Sequence, residues 1–389
     1  REQRDVNNDK ERFLIGALKA ADDNLCMRMA PSVRDQLAWY TTIRGWYAGR
    51  VLLTKDDEEK TTIDITPWDP INTYWGESGS GITWACYRIK KTTDEIKEQY
   101  GIKLDITTYG IDEGVYVYDF YDKEDNIVVM DDKVLKKRTK HGHNGVPVFI
   151  GMVGATPLIQ SDVIGSESVS DIGESIFKSN RKNYEDNNFM LSTMLELTAR
   201  SRKQGLKVKS RDGMKTLDED PYKEGTEISL AQGEEIEPLG MLEMAKESGA
   251  FMSMVSGELQ RGSLPYSIYG QLDFQLSGYA INTLRQGVES VLIPRLKAME
   301  KAYRSILMIL SDMYGTGSFK SIEVNGQTRD RLYFSQEITP EIVKKGGDPE
   351  IKLASQLPQD DMSKMSQAQI AREGDVPLLP DIFIRDTVL

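Results

Sequence analysis

The feature that most constrains this chain is a set of three helical segments split by two inserts of opposite character. The segments are 166–205, 240–260 and about Gly278 to Tyr314. In the first, Val169, Ile172, Ile176, Tyr184, Leu191 and Leu195 recur near the helical period, though its middle, KSNRKNYEDNN, is strongly polar. This is the longest helical candidate. In the second, Met244, Phe251, Val255 and Leu259 share one side. The third contains Pro294, whose ring removes a hydrogen bond and clashes with the preceding turn, so a kink is expected there. The insert at 206–239 reads as small strands and turns crowded with charge. The stretch after the second helix, RGSLPYSIYGQLDFQLSGYAINTLRQG, holds only Arg261, Asp273 and Arg285 as charges in a chain that is 28% charged. It is too polar for a core strand and too apolar for a disordered linker.

The regions on either side have a different texture. Residues 8–57 read as mostly helical, with Pro31-Ser32 opening a segment that puts Val33, Leu37 and Tyr40 on one face. From Thr61 to Ile89 the pattern turns to short strands. TIDITPWDPINTYWG alternates and is expected to break at Pro67 and Pro70, and GITWACYRIK is a strand candidate. TTDEIKEQYG is a short helix with its own punctuation. Thr92 or Thr93 can cap it, Asp94 and Glu95 suit its first turn, and Gly101 follows its last. Residues 105–156 read as a β-meander turning at Lys123–Asn126, followed by a buried strand in GVPVFIGMVG. SIEVNG and RLYFSQEIT form a hairpin, and the last stretch reads as helix, turn and helix. The fold class is therefore α+β.

With 389 residues the chain can hold two or three domains with real cores. Its net charge of −12 argues against a protein that coats nucleic acid by overall charge. Cys26 and Cys86 show no CxxC or Cys/His pattern, which argues against a disulfide framework and a structural zinc and fits a reducing compartment. No apolar run is long enough to span a bilayer, so no membrane association is expected. No signal peptide is visible. The chain starts at Arg1 and stops within an apparent helix, so further residues are expected at both ends.

The search for catalytic chemistry finds little. There is no P-loop, GSGITW fails as a dinucleotide turn at Trp84, and GESGS lacks the last glycine of a nucleophile elbow. His141 and His143, in KHGHNGVP, could supply two ligands from one strand. No Cys or acidic pair completes a site, so a surface turn is the favoured reading, with no metal and no cofactor. Asp122, Glu124 and Asp125 could hold a divalent ion for nuclease work, but read better as a solvated hairpin tip. No enzyme activity is expected.

Charge is instead arranged in blocks. Residues 201–215 hold Arg202, Lys203, Lys207, Lys209, Arg211 and Lys215 against Asp212. Residues 218–237 hold Asp218, Glu219, Asp220, Glu224, Glu227, Glu234, Glu235 and Glu237 against Lys223. An insert with a positive front and a negative back can stack on copies of itself in a ring, or it can be two ordinary charged hairpin faces.

The order helix, small α/β insert, helix, weakly charged loop and long helix resembles the portal, or head-to-tail connector, proteins of tailed bacteriophages, the short-tailed-phage type above all. PWDPINTYWGESG with GITWACYRIKKTTDEIKEQYG is similar to the wing segment of that family. SIFKSNRKNYEDNN is similar to the helix leading to the clip, and EGDVPLLPDIFIRDTV to a late segment. The resemblance runs from about Val33 to the end, and none of its motifs is catalytic.

The resemblance implies a wing at 1–165 and 279–356, the latter with the long kinked helix and a hairpin. It implies stem helices at 166–205 and 240–260, a clip at 206–239, a tunnel loop at 261–278, and a truncated crown base at 357–389, where crown helices are mostly missing. In the tunnel loop Ser263, Tyr266, Ser267, Tyr269, Gln271 and Gln275 would touch passing duplex without strong ionic adhesion, which phosphate-binding lysines would cause. Leu264, Ile268, Leu272 and Phe274 would pack loop against loop. Lys207, Lys209, Arg211, Lys215, Asp218, Glu219, Asp220, Glu234 and Glu235 would make clip contacts to the packaging motor, to an adaptor, or between subunits.

The implied protein is a viral portal subunit in a homo-oligomeric ring, a dodecamer, at one capsid vertex of the virion. It would be assembled in the host cytoplasm and conduct double-stranded DNA during packaging and ejection. Its implied partners are the large terminase subunit, an adaptor or tail protein, the major capsid protein and scaffold. The competing expectations are another structural virion protein, adaptor or scaffold, and a metal-dependent nuclease.

Overall fold

The computed structural model describes residues 2–55, 61–79, 81–103, 114–130, 133–154, 173–201, 205–210, 213, 227–238, 247–262, 278–317, 319–328 and 332–353. The chain divides into two compact units. Unit 1 combines residues 1–175 with 277–389, and unit 2 is residues 176–276. The α+β class expected from sequence holds in both.

Unit 1 opens with α1 (Glu2–Met27) and α2 (Val33–Trp39). Ser32 caps α2 by accepting from Asp35 N, and Val33 and Leu37 are buried as expected. The helix widens into a π-turn, Tyr40–Arg44, and stops at Gly45, whose φ of 72° is the left-handed conformation glycine adopts without strain. A strand then begins where a helix was expected: β1 is Trp46–Lys55. Its sequence, WYAGRVLLTK, does not alternate because β1 is central, antiparallel to β2 (Thr61–Trp68) on one side and β8 (Val148–Met152) on the other. A strand covered on both faces reads as a continuous apolar run. Pro67 does not break β2. It pairs opposite Gly49 in a strand at the sheet edge, where a missing N–H is tolerated. The break comes at Pro70, which starts a 3-10 turn capped by Asp69.

A second sheet runs in the order β3-β4-β5-β6-β7, a meander throughout. Its strands are β3 (Thr73–Ser78), β4 (Gly81–Lys91), β5 (Val115–Tyr121), β6 (Asp125–Met130) and β7 (Lys133–Lys140). Between β4 and β5 lies α3 (Thr93–Tyr100), with a complete capping box between Thr92 and Glu95 and Gly101 left-handed at its end. Ile96 of α3 packs with Val117, Val128, Met130 and Leu135. A second small core, with Ala48, Trp68, Ala85, Tyr121 and Val148, joins the two sheets, and Trp68 stacks on Tyr87 at 5.0 Å.

The largest core lies where α1 meets the segment that follows unit 2. α6 (Gly278–Thr316) is the longest helix among the described residues, whereas the first helical segment was expected to be, and Pro294 lies inside it. It contributes Ala302, Ile306, Leu310 and Tyr314 against Phe13, Leu14 and Ala17 of α1. The hairpin of β11 (Ile322–Gln327) and β12 (Tyr333–Ile338) follows, and then α7 (Pro340–Lys345). Tyr314 ties these parts together. Its ring stacks on Phe13 at 4.6 Å, and its hydroxyl donates to Ile338 O at 2.6 Å while accepting from Ile322 N at 3.1 Å. A buried hydroxyl with both roles filled costs the core little. Arg12 and Lys10 of α1 bond Gln336 Oε1 at 2.8 Å and Gly346 O at 3.1 Å.

Unit 2 holds α4 (Arg181–Ser201) and α5 (Glu247–Arg261), with β9 (Leu206–Lys209) and β10 (Glu235–Pro238) paired between them in sequence. The helix expected from Ser166 does not cover 173–177, and α4 begins only after a 3-10 turn at Lys178–Asn180. The two helices are antiparallel. Asn180 is buried and donates to Leu259 O at 2.7 Å, and Ser179 donates to Gly262 O at 2.7 Å. Residues 354–389, including the expected terminal helices, lie outside the described residues.

Candidate functional site

All ten residues named for the weakly charged loop lie outside the described residues: Ser263, Leu264, Tyr266, Ser267, Ile268, Tyr269, Gln271, Leu272, Phe274 and Gln275. So do Arg211, Lys215, Asp218, Glu219 and Asp220 of the charged insert. The described part of that insert is a small hairpin whose register sets Lys209 opposite Glu235 and Lys207 opposite Glu237. Lys209 Nζ lies 2.9 Å from Glu235 and 3.8 Å from Glu237. The hydrogen bond to Glu235 raises the Lys209 pKa, and the same bond lowers that of Glu235. At these positions the basic and acidic blocks face each other across one antiparallel pair, because opposite charges at facing positions stabilise the pairing. Glu234 is used locally, its carboxylate accepting from Ala231 N at 2.9 Å.

The histidine pair is not an exposed turn. The His143 side chain is only 11% exposed, and its Nδ1 lies 2.9 Å from Asp312 Oδ2 on α6. Burial lowers the His143 pKa, with His141 adding to the effect and Asp312 opposing it. His141 Nε2 is 3.0 Å from Asp122 O, and His141 Nδ1 accepts from His143 N. The pair fastens the segment after β7 rather than presenting ligands. The acidic tip is a turn, as expected: Asp122 Oδ1 accepts from Glu124 N at 2.9 Å and Asp125 N at 2.7 Å. Burial acts to raise the Asp122 pKa, but those N–H bonds, with Arg138 and His141, outweigh it and hold it low. Among the described residues no three His, Cys, Asp or Glu side chains gather as a metal site.

The strongest electrostatic feature escaped sequence reasoning. Arg50, at the middle of β1, reaches between the two sheets. Its Nη2 lies 3.0 Å from Asp64 of β2 and its Nη1 2.7 Å from Asp119 of β5, with a further bond to the Tyr121 hydroxyl at 2.8 Å. Thr66 donates to Asp64, Asn126 to Asp119, and Lys136 to Asn126, each at 2.7 Å. Burial acts to lower the Arg50 pKa, but Tyr121, Asp119 and Asp64 outweigh it and raise it. Burial likewise pushes Asp64 up, and Arg50, Thr66 and Arg28 outweigh it, leaving its carboxyl below the usual range. Every carboxylate here is already bonded, so the cluster acts as a clamp between sheets. Its members are 14 and 69 residues from Arg50 in sequence, and no local motif signals it.

A groove of about 590 Å³ runs beside α1 and α6, with Leu14, Ile15, Leu18 and Leu307 along its apolar side and residues 347–353 along its rim. Lys10, its one lysine, is committed to Gly346 O. No protein-family model matches the chain, and no curated protein is significantly similar to it.

Proposed function

We propose that this chain is a portal subunit: a non-enzymatic ring protein at one capsid vertex that conducts double-stranded DNA during packaging and ejection. In this reading unit 1 is the wing, α4 and α5 are the stem, and the β9–β10 insert is the clip that meets the terminase motor and later an adaptor or tail protein. The residues between α5 and α6 form the tunnel loop. The ring would meet major capsid protein and scaffold from the wing side.

The observation that carries the reading is the character of the inserted helical pair. α4 and α5 belong to one inserted stretch, residues 176–276, between the two parts of unit 1, and among their described residues few apolar ones are buried; Val255 is one. Phe189 and Leu195 of α4 are 73% and 72% exposed, and Met254 of α5 is exposed as well. Large apolar side chains exposed on paired helices mark a surface that another protein covers. In a ring, neighbouring stems would cover it. The paired charges of β9 and β10 fit a self-contained clip hairpin.

The test is the native mass of the purified chain by sedimentation velocity, with negative-stain images of the same sample. The expected result is a closed ring with a central hole and about twelve times the subunit mass. A chain that remains monomeric at every concentration, with or without scaffold, overturns the proposal.

A further inference from the structure

One face of the five-stranded sheet carries exposed aromatic rings. The register aligns Tyr74 with Cys86 and Phe120, Arg88 with Tyr118, and Lys90 with Tyr116. These alternate with Ala85, Val117 and Tyr121, which point into the core. Tyr74, Trp84 and Tyr116 are exposed, and Trp84 stacks on Phe120 at 5.8 Å. The Arg88 guanidinium sits 5.0 Å from the Tyr116 ring centre and 5.7 Å from that of Tyr74. Its Nη2 donates to Asn72 at 3.0 Å, and its Nε is buried without a hydrogen-bond partner. The charges among these aligned residues are positive, Arg88 and Lys90; Asp119 of β5 alternates with them and is bonded to Arg50. The edge strand β7, KVLKKRTK, holds five basic residues and no acidic one, though Lys136 turns inward to Asn126 and Arg138 pairs with Asp122 and Asp125. Tyr, Trp and Arg at a charge-poor centre are the composition of a protein interface core.

A surface of complementary character exists on the same chain. The β11–β12 hairpin sets Glu323 directly opposite Glu337, Asn325 opposite Ser335, and Gln327 opposite Tyr333, all on its exposed side. Like charges at facing strand positions destabilise a pair. Ser335 donates to Glu323 at 2.7 Å and Ser321 donates to Glu337, and Lys19 Nζ reaches the same side at Asn325 Oδ1, 2.8 Å away. Beside the glutamates Tyr333 is 84% exposed and Leu332 is exposed too. The hairpin thus joins a pair of facing carboxylates to apolar surface, where the sheet face joins positive charge to aromatic surface.

We infer that the aromatic face of the five-stranded sheet receives the acidic face of the β11–β12 hairpin of a second copy of this chain. The two surfaces differ, so the contact is head-to-tail, the kind that closes into a ring. Arg88 and Lys90 compensate Glu323 and Glu337, and Tyr333 and Leu332 cover the aromatic rings. Tyr74, Trp84 and Tyr116 are each less than half exposed, so they supply part of the roughly 800 Å² per partner that a stable contact buries, and the surrounding strands supply the rest. The inference rests on the ring reading and adds which faces meet.

The test is a charge swap read by sedimentation velocity. One variant carries Glu323→Lys and Glu337→Lys at exposed positions; the other carries Arg88→Glu and Lys90→Glu. Each alone is expected to weaken assembly by ~10-fold or more in dissociation constant. Mixed one to one, they should assemble as the wild type does, since every interface in an alternating ring is then either wild-type or fully swapped. Alkylation of Cys86, which lies on the sheet face, should be slower in the assembled wild type than in the hairpin variant, with exposed Cys26 as the internal standard. Wild-type rings that persist unchanged in both variants overturn this contact and leave the ring reading standing. A wild type that never assembles overturns both. Salt-dependent quenching of tryptophan emission by a single-stranded oligonucleotide, lost with Trp84→Ala, would make the face a nucleic-acid platform and overturn the contact.

Discussion

Replacing Arg50 with leucine isolates the clamp between the two sheets. Leucine matches part of the volume but leaves Asp64 and Asp119 turned inward without the cation between them. Removing one member of a buried ion pair costs about 3–5 kcal/mol, mostly from the charge left behind. The Arg50 side chain is 21% exposed, so water reaches part of the site, and Arg28 remains 3.5 Å from Asp64. We therefore expect a loss of about 2–3 kcal/mol at pH 7. All five tryptophans, residues 39, 46, 68, 75 and 84, belong to unit 1, so tryptophan emission during urea unfolding follows that unit alone. The pH dependence carries the sign. The folded Asp64 pKa lies below its unfolded value, so its contribution is full above about pH 4 and is lost as pH falls through the folded value. Without Arg50, burial dominates and Asp64 takes up a proton more readily. The gap between variant and wild type should then narrow from pH 7 to pH 4.5. Adding Asp64→Asn and Asp119→Asn to the variant should recover part of the loss. A cost below about 1 kcal/mol, or a gap that does not change with pH, would refute the clamp.

Other expectations follow from single positions. Gly45→Ala combines a φ of 72° with a methyl group that would lie 2.6 Å from the Glu174 backbone, so it should cost about 2 kcal/mol or more in urea unfolding. Gly101→Ala, at a φ of 68° with open space around it, should cost only about 1 kcal/mol by the same measurement. His143 should titrate below its ordinary value in the folded chain when followed by NMR. Its depressed pKa makes unit 1 lose stability as pH falls from above about 6.5 through the folded value, and His143→Gln should flatten that part of the profile.

Much of the fold was legible wherever the signal is local. Thr92, Glu95 and Gly101 announce α3 because caps act within one turn, and the meander alternates because one side of its strands is buried. The hairpin of β11 and β12 is legible for the same reason. β1 was misread because a strand covered on both faces loses its alternation, and its run of Trp, Tyr, Val and Leu looks like a helix face. Pro67 misled because a proline's effect on a strand depends on whether that strand lies at an edge, which is a property of the whole sheet. The block charges of the insert were visible, but their pairing depends on a register that composition does not carry. The Arg50 clamp was invisible because three strands distant in sequence assemble it.

The meeting of α1 with the elements from α6 onward in one core sets an order of events during synthesis. α1 emerges early, and its Phe13, Leu14 and Ala17 find Tyr314, Val324 and Ile338 only after some three hundred further residues have been made. At ribosomal rates that interval is about half a minute. During it, α1 can pack only against its early-made neighbours, such as Leu37 and Ile63, while the rest of its apolar stripe waits. Chaperone occupancy should therefore concentrate on α1. A message truncated before the last hairpin would yield an aggregation-prone product rather than a smaller working one.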